Sequence, residues 1–341
     1  MSRPFVAPPA HGSIEPRGRP TFSIAIAAYQ AAGTIGAALD SALAQTLQPL
    51  EIAVCDDGST DGLDEALAPY RERILLVRHT ENRGPAAAKN AAAAATSAEF
   101  VAFLDADDVY YPERLEALAD LAAAQPNLDV LTTNADLEIE GERAGTYYPA
   151  VAHFPASDQA MGIIASDSAI FGAAAVRRSV FEAAGGLNEE LRSSEDWELW
   201  LRLSLAGSLM GLVDEPLYCY RVHEQGASTE QIRGSVDAVR ALERALQLTD
   251  AGPRERAALE AALAELRRTA ALVEAEHALR SRDPSRRRLS FSVAVGNGFS
   301  LRTRVKSLFA AGFPGAAARL LERREGRSGV SKLRRPMPRR Q

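Results

Sequence analysis

The sequence predicts an α/β protein: a mostly parallel central sheet flanked by helices, followed by an α-helical C-terminal extension. Three observations carry this. Short apolar runs alternate with segments of helical periodicity over roughly the first 130 residues, the signature of strand–helix–strand units. Two of those runs, Leu50–Cys55 and Phe100–Leu104, end abruptly in carboxylates: Asp56 and Asp57 after the first, Asp105, Asp107 and Asp108 after the second. From residue 231 the composition shifts to Ala, Leu, Glu and Arg.

In chain order, residues 1–20 carry Pro, Gly and Arg but no apolar core, and read as a disordered arm rather than a secretory signal. Thr21–Ala27 is a first strand. Ala31–Thr46 is a helix, because Ile35, Leu39, Ala42 and Leu43 recur at three- and four-residue spacing, and Pro49 closes it. Leu50–Cys55 is the second strand, and Ser59, Thr60 or Asp61 in the turn after it is expected to cap the next helix. Arg73–His79 is the third strand, and the helix Ala86–Thr96 carries Lys89 and Asn90. The run at 100–104 reads as a strand buried on both faces, so its carboxylates fall at the C-terminal sheet edge where open α/β sheets bind ligands.

Asp108 is expected to cap the helix Pro112–Ala124, and Leu128–Asn134 is a further strand. Residues 147–161 look irregular, with His153 on a surface loop. The helix Arg178–Ala184 stops at Gly185-Gly186. Glu195 and Asp196 open a helix containing Trp197 and Trp200, at the terminus whose dipole stabilises carboxylates. Leu209–Val213 and Pro216–Tyr220 are strand-like. Ile232–Leu248 and Pro253–Ser281 form a helical hairpin, followed by two amphipathic helices, Ser285–Gly296 and Leu301–Leu321. The organisation is an arm (1–20), an α/β domain (21–230), a helical region (231–325) and a disordered basic tail (326–341).

At 341 residues, 46% apolar and 25% charged, the chain has the composition of a soluble globular protein, and no apolar run approaches the length of a membrane span. Cys55 and Cys219, both in apolar runs, are expected as buried free thiols in a reducing cytosol. The net charge of −6 is unevenly spread: residues 280–341 hold 17 Lys/Arg against 3 Asp/Glu, and the remainder 22 against 42. The basic, aromatic-bearing tail suits a peripheral contact with the inner face of a membrane. Nucleic acid is not expected as a partner, because the acidic body would repel it. Carboxylates crowded on one edge call for a cation, and a hard ion such as Mg²⁺ or Mn²⁺ shares its shell with carboxylate and phosphate oxygens.

The segments IAIAAYQ, QTLQPLEIAVCDDGSTD, ENRGPAAAKNAA, FVAFLDADDVYYPERL, GGLNEELRSSEDWELWLRL and YRVHEQGAST occur in the order and spacing of the family 2 glycosyltransferases, which this chain resembles over about residues 21–230. The resemblance implies a GT-A nucleotide-sugar-binding fold and an inverting, metal-dependent, bacterial-type enzyme. It departs from the family's usual Pro-x-Tyr-Asn at Ala27-Ala28-Tyr29-Gln30. Carried over, Ala27 and Tyr29 lie at the nucleobase and Asp57 accepts from its imide N–H. Asp56 belongs to the same nucleotide-sugar set or caps its turn. Arg83 and Lys89 sit near the nucleotide and Asp105 near the ribose. Asp107 binds the metal, completed by His223. Asp196 is the general base, with Glu195 a lesser candidate. Trp197 and Trp200 wall the acceptor pocket or fill core.

The resemblance also implies a UDP-, dTDP- or GDP-sugar donor, a glycan or lipid-linked acceptor and cell-surface polysaccharide or glycoconjugate synthesis in the cytoplasm. The competing reading is a GT-A module that holds a nucleotide sugar or glycan without turnover.

Overall fold

The computed structural model describes residues 18–139, 141–150, 153–164, 173–222, 231–248, 251–297, 299–314 and 317. The first half follows the expected alternation: β1 (Phe22–Ala28), α1 (Ile35–Leu43), β2 (Ile52–Asp57), α2 (Leu63–Leu67), β3 (Leu75–His79), α3 (Pro85–Ala94) and β4 (Phe100–Asp105). These four strands pair in parallel in the order β3-β2-β1-β4, so their C-terminal ends share one edge.

The next elements are β5 (Val109–Tyr110), α4 (Arg114–Ala124), β6 (Leu128–Ile139), β7 (Glu142–Thr146), α5 (Tyr147–Ala150), α6 (Gln159–Ile164), β8 (Ala175–Arg177), α7 (Arg178–Ala183), α8 (Glu195–Leu205) and β9 (Leu209–Val222). β8 enters the sheet antiparallel between β4 and β6, and β9 runs parallel to β6 with β5 antiparallel on its far side. Two expectations change here. The strand at 128–134 continues to Ile139, and the two strand-like runs at 209–213 and 216–220 are one strand. Register shifts on either side of Asn134 absorb Asp214 and Glu215, while Pro216 itself stands opposite Asn134, so the proline bends the pairing without ending it. Neither β5 nor β7 is signalled by the sequence: two residues have no periodicity of their own, and Glu142–Thr146 carries no apolar alternation.

Alternate residues of β1 and β4 feed two cores. Phe22, Ile24, Ile26, Phe100 and Leu104 pack with α1 and α4 on one face. Ala25, Val101 and Phe103 pack with α3, Phe181 and Trp200 on the other. The second face is lined by small residues, Ala25, Ala53, Ala86, Ala88 and Ala92, so α3 lies close on the sheet and its polar residues are carried near the strand ends.

The C-terminal helices are α9 (Gln231–Leu248), α10 (Pro253–Arg280), α11 (Arg286–Val295) and α12 (Leu301–Gly312). Leu242, Ala245, Leu259 and Leu263 join the same core as α8, so α9 and α10 are continuous with the α/β body. On α11, α12 and just beyond, Phe291, Val295, Val305, Leu308, Phe309 and Phe313 are exposed. No described helix is long and apolar enough to cross a membrane. Most of the arm, the loop after Val222 and nearly all of the chain past Phe313 lie outside the described residues, including the expected disordered tail.

Candidate active site

Three segments meet at the C-terminal sheet edge: the end of β2, the end of β4 and the start of α8. At the end of β2, Asp57 is buried and accepts three hydrogen bonds: from His79 Nδ1 (2.6 Å) and Arg83 N (3.0 Å) at Oδ1, and from Gly84 N (2.8 Å) at Oδ2. A carboxylate offers about four acceptor positions, so one remains on Oδ2. Asp56 accepts from Ser59 N at 2.9 Å and caps its own turn. Gly58 in that turn has φ +77°, and a Cβ there would lie 2.7 Å from the Glu81 carbonyl carbon; no other residue type fits.

Ser59, Thr60 and Asp61 do not cap α2, whose N-cap is Gly62. They reach across to the loop after β1 instead. Gln30 N donates to Ser59 Oγ, Thr60 N donates to Gln30 Oε1 and Ala32 N donates to Asp61 Oδ2, at 3.0, 2.7 and 2.8 Å. The two loops are thus one unit, and it presents Tyr29 with 51% of its surface exposed beside the half-buried Ala27. Tyr29 is therefore not a core aromatic.

At the end of β4 the structure separates three aspartates. Asp108 is buried, accepts from Tyr218 Oη (2.7 Å) and Arg221 N (2.8 Å), and ties β4 to β9; it does not cap α4. Burial, then the Asp105 and Asp107 charges, push its carboxyl well above the ordinary range, against the two donors. Beneath it the buried Arg114 guanidinium lies between the Tyr110 and Tyr218 rings, 4.7 and 4.9 Å from their centroids, and donates to Ala173 O. Asp105 pairs with Lys89 Nζ at 3.0 Å.

Lys89, expected near the nucleotide, lies at this edge with its ammonium buried. It also meets Glu195 Oε1 at 3.2 Å, so its charge is shared between the end of β4 and the start of α8. Burial alone would lower its pKa; the charges of Asp105, Glu195 and Asp196 overcome this and raise it well above its ordinary value.

Asp196 is half-buried in the first turn of α8, and its Oδ1 accepts from Trp197 N at 2.7 Å. Burial and the adjacent Glu195 charge push its carboxyl up to about 6, against Lys89 and the Trp197 N–H, which favour the charged form. A carboxylate poised there is ionised at neutral pH yet basic enough to take a proton.

Of the two readings of Trp200, acceptor wall or core, the structure takes the core: the side chain has no exposed surface. Trp197 is half-buried at the surface of the same core. Arg83 is exposed, with its guanidinium on Glu189 at 3.0 Å. His223 and the loop 224–228 lie outside the described residues. Among the described residues no three His, Cys, Asp or Glu side chains converge as a metal cage. Asp107 at the strand end remains a fitting ligand nonetheless, because a hard divalent ion bound with a diphosphate and water needs only one or two carboxylates. The same negative field that raises Asp108 favours a cation there.

Sequence reasoning missed the supports of this site. Asn90 donates from Nδ2 to Leu187 O and accepts from Leu187 N at Oδ1, both at 2.9 Å. Gly186 (φ +75°) sits so close that a Cβ would meet Asn90 Oδ1 at 2.7 Å. The buried Glu198–Arg202 pair (2.8 Å) extends to Ala184 O and Gly186 O through the guanidinium. The i, i+4 spacing of that pair was the available signal.

Residues 23–185 match the model of the family described as Glycosyl transferase family 2. A succinoglycan biosynthesis protein, ExoU, of Rhizobium meliloti (strain 1021) is 33% identical over 201 residues, 54% of this chain, and the chain spans only 57% of that relative's length. Among solved structures, S. aureus TarS 1–349 in complex with UDP-GlcNAc superposes with a TM-score of 0.60 at 19% identity, covering 90% of this chain and 92% of that one. The mannosyltransferase PcManGT of Pyrobaculum calidifontis, in complex with GDP-Man and Mn²⁺, superposes with a TM-score of 0.58 at 21% identity, covering 96% and 86%. The segment that matches, residues 23–185, thus lies within a GT-A-like fold that continues into the helices beyond it.

Proposed function

We propose that the chain is an inverting, metal-dependent glycosyltransferase that moves a sugar from a nucleotide-diphosphate sugar, UDP-linked by preference over dTDP or GDP, to a hydroxyl of a glycan or lipid-linked acceptor in cell-surface polysaccharide or glycoconjugate synthesis. One observation carries the reading: a carboxylate of raised pKa, Asp196, is joined through Glu195 and Lys89 to the acidic end of β4. A module that only binds has no use for a tuned base beside the donor edge.

The nucleobase lies on Tyr29, with Ala27 beside it and the remaining Oδ2 position of Asp57 accepting its imide N–H. Asp105 and Arg83 border the nucleotide, and Trp197 faces the acceptor. Asp107, with His223, would hold Mg²⁺ or Mn²⁺, and the ion would supply positive charge to offset that of the departing diphosphate. Asp196 takes the proton of the acceptor hydroxyl as that oxygen attacks the anomeric carbon. The bond from that carbon to the diphosphate oxygen breaks with its electron pair leaving on the diphosphate, and the configuration inverts.

The test is a thermal-shift series with UDP-, dTDP- and GDP-sugars, with and without Mn²⁺. One nucleotide class should raise the melting temperature of the native chain only with metal, and Asp107→Ala should abolish the gain. A flat series under every condition defeats the donor reading.

The acceptor class fits the second surface. Exposed Phe309 and Phe313, with ring centroids 5.5 Å apart, stand beside exposed Leu308 and Val305 and the cations Arg304 and Lys306, the composition of an interfacial contact with anionic lipid. On this reading the enzyme works in the cytoplasm, peripherally on the inner membrane face. The native chain should sediment with phosphatidylglycerol vesicles and not with phosphatidylcholine vesicles. If Phe309→Ser/Phe313→Ser sediments equally well with the anionic vesicles, the contact lies elsewhere.

A further inference from the structure

The turn that delivers the base to the site is held from a helix outside the matched family segment. Ser194, the residue before Glu195, has φ +59° and ψ +19°, a left-handed conformation that a serine adopts at a cost of about 1 kcal/mol or more. Local structure does not explain it, because α8 has no side-chain cap. Support comes from Asp237 on α9, which is buried, and whose Oδ2 accepts from Arg192 N and Ser193 N, both at 3.0 Å, and from Ser193 Oγ at 3.4 Å. Its Oδ1 accepts from Arg240 Nη1 at 3.2 Å.

The same turn reaches the donor side. Arg192 Nη1 donates to Asn82 Oδ1 at 3.2 Å, and its guanidinium lies so close over Gly84 that a Cβ there would meet Nη1 at 2.5 Å. Gly84 N is one of the three donors to Asp57. A second contact parallels the first: Arg244 of α9 reaches Asn188 Oδ1 at 3.4 Å and Glu198 Oε1 at 3.7 Å.

We propose that Asp237 is a positioning residue for catalysis: by binding the backbone N–H groups of 192 and 193 it holds the strained turn that sets Asp196 relative to the donor loop. The inference rests on Asp196 being the base. Without the acceptor oxygens the turn relaxes, the first turn of α8 shifts, and Asp196 leaves its line to the anomeric carbon. Displacements of that size lower turnover without touching the nucleotide contacts.

The experiment compares native chain, Asp237→Ala, Asp237→Asn and Asp196→Asn. Nucleotide release from UDP-N-acetylglucosamine, UDP-glucose and GDP-mannose is followed with Mn²⁺ over pH 5–8, with hydrogen–deuterium exchange of residues 190–200 in parallel. Asp237→Ala should lower kcat roughly ten- to a hundredfold with donor KM unchanged within about twofold, and displace the acid limb of the pH profile. It should also speed amide exchange at 192–198. Asp237→Asn keeps a carbonyl oxygen for both N–H groups and should recover most of the rate. Native kcat and an unmoved acid limb in Asp237→Ala overturn the inference. So does a fall in which kcat and donor affinity decline together, which marks general loosening of the fold. If no donor is turned over, unchanged exchange at 192–198 in Asp237→Ala overturns it. Native activity in Asp196→Asn, by contrast, defeats the base assignment itself.

Discussion

Asp196→Asn should abolish measurable sugar transfer, a loss of about 10²–10⁴-fold or more, while leaving donor binding intact. The amide keeps the shape of the side chain and can still accept from Trp197 N. It cannot take the acceptor's proton. Folding should not suffer, because the substitution removes a charge that burial and Glu195 disfavour. The native pH profile checks the same group from another side. Burial and Glu195 push its carboxyl up to about 6, and the proposed base reacts as the carboxylate, so the rate should rise with pH through that region and level off above it. Lys89 favours the charged form; Lys89→Met should therefore move the rise to higher pH. A rate independent of pH from 5 to 7, or an active Asn variant, removes Asp196 from the mechanism.

Arg202→Met should produce the largest loss of stability. Glu198 and Arg202 are both buried, joined by two hydrogen bonds at 3.0 and 2.8 Å, and the guanidinium also serves Ala184 O and Gly186 O. Removing one partner of a buried pair typically costs about 3–5 kcal/mol, because the other charge is left without compensation. Arg244, 3.7 Å from Glu198, is close enough to keep the loss near the lower end. For a chain of this length, at about 2.1 cal/mol/K of unfolding entropy per residue, that is roughly 4–7 °C in melting temperature. Glu198→Leu combined with Arg202→Met should recover much of it, since no orphan charge remains. Equal melting of the single and double variants would show that packing of the aliphatic stems, rather than the charge pair, carries the effect.

The strand–helix alternation was legible because β1, β2 and β4 are apolar runs with distinct ends, and the acidic edge because carboxylates at such ends have few structural reasons to be there. The start of α8 was legible from its carboxylates and the 3.6-residue spacing behind them. What was hidden has a common cause. Lys89 meets Glu195 across 106 residues of sequence, Asp108 meets Arg221 across 113, and Asp237 meets Ser193 across 44. No periodicity encodes which of several nearby carboxylates a distant donor will choose. Trp200 stayed open between core and pocket for a related reason: a tryptophan in an amphipathic helix points to either by a rotation of one position, and the sequence pattern does not resolve that angle. Ser59, Thr60 and Asp61 had the composition of a helix cap, but the neighbouring loop offered unpaired N–H groups nearer to hand.

The shared ammonium of Lys89 bears on how such enzymes are rebuilt. The family match ends at residue 185, which invites chimeras joined there, with a donor half from one parent and an acceptor half from another. In this chain the junction separates a cation from one of its two counter-ions: Lys89 and Asp105 lie before it, Glu195 after it. A graft whose incoming half lacks a carboxylate at the position of Glu195 inherits a buried lysine with half its compensation, and its imported base titrates in an altered field. Compatibility between halves is therefore a matter of matched charge at one interior point, and exchange partners can be screened on that residue before any loop is redesigned.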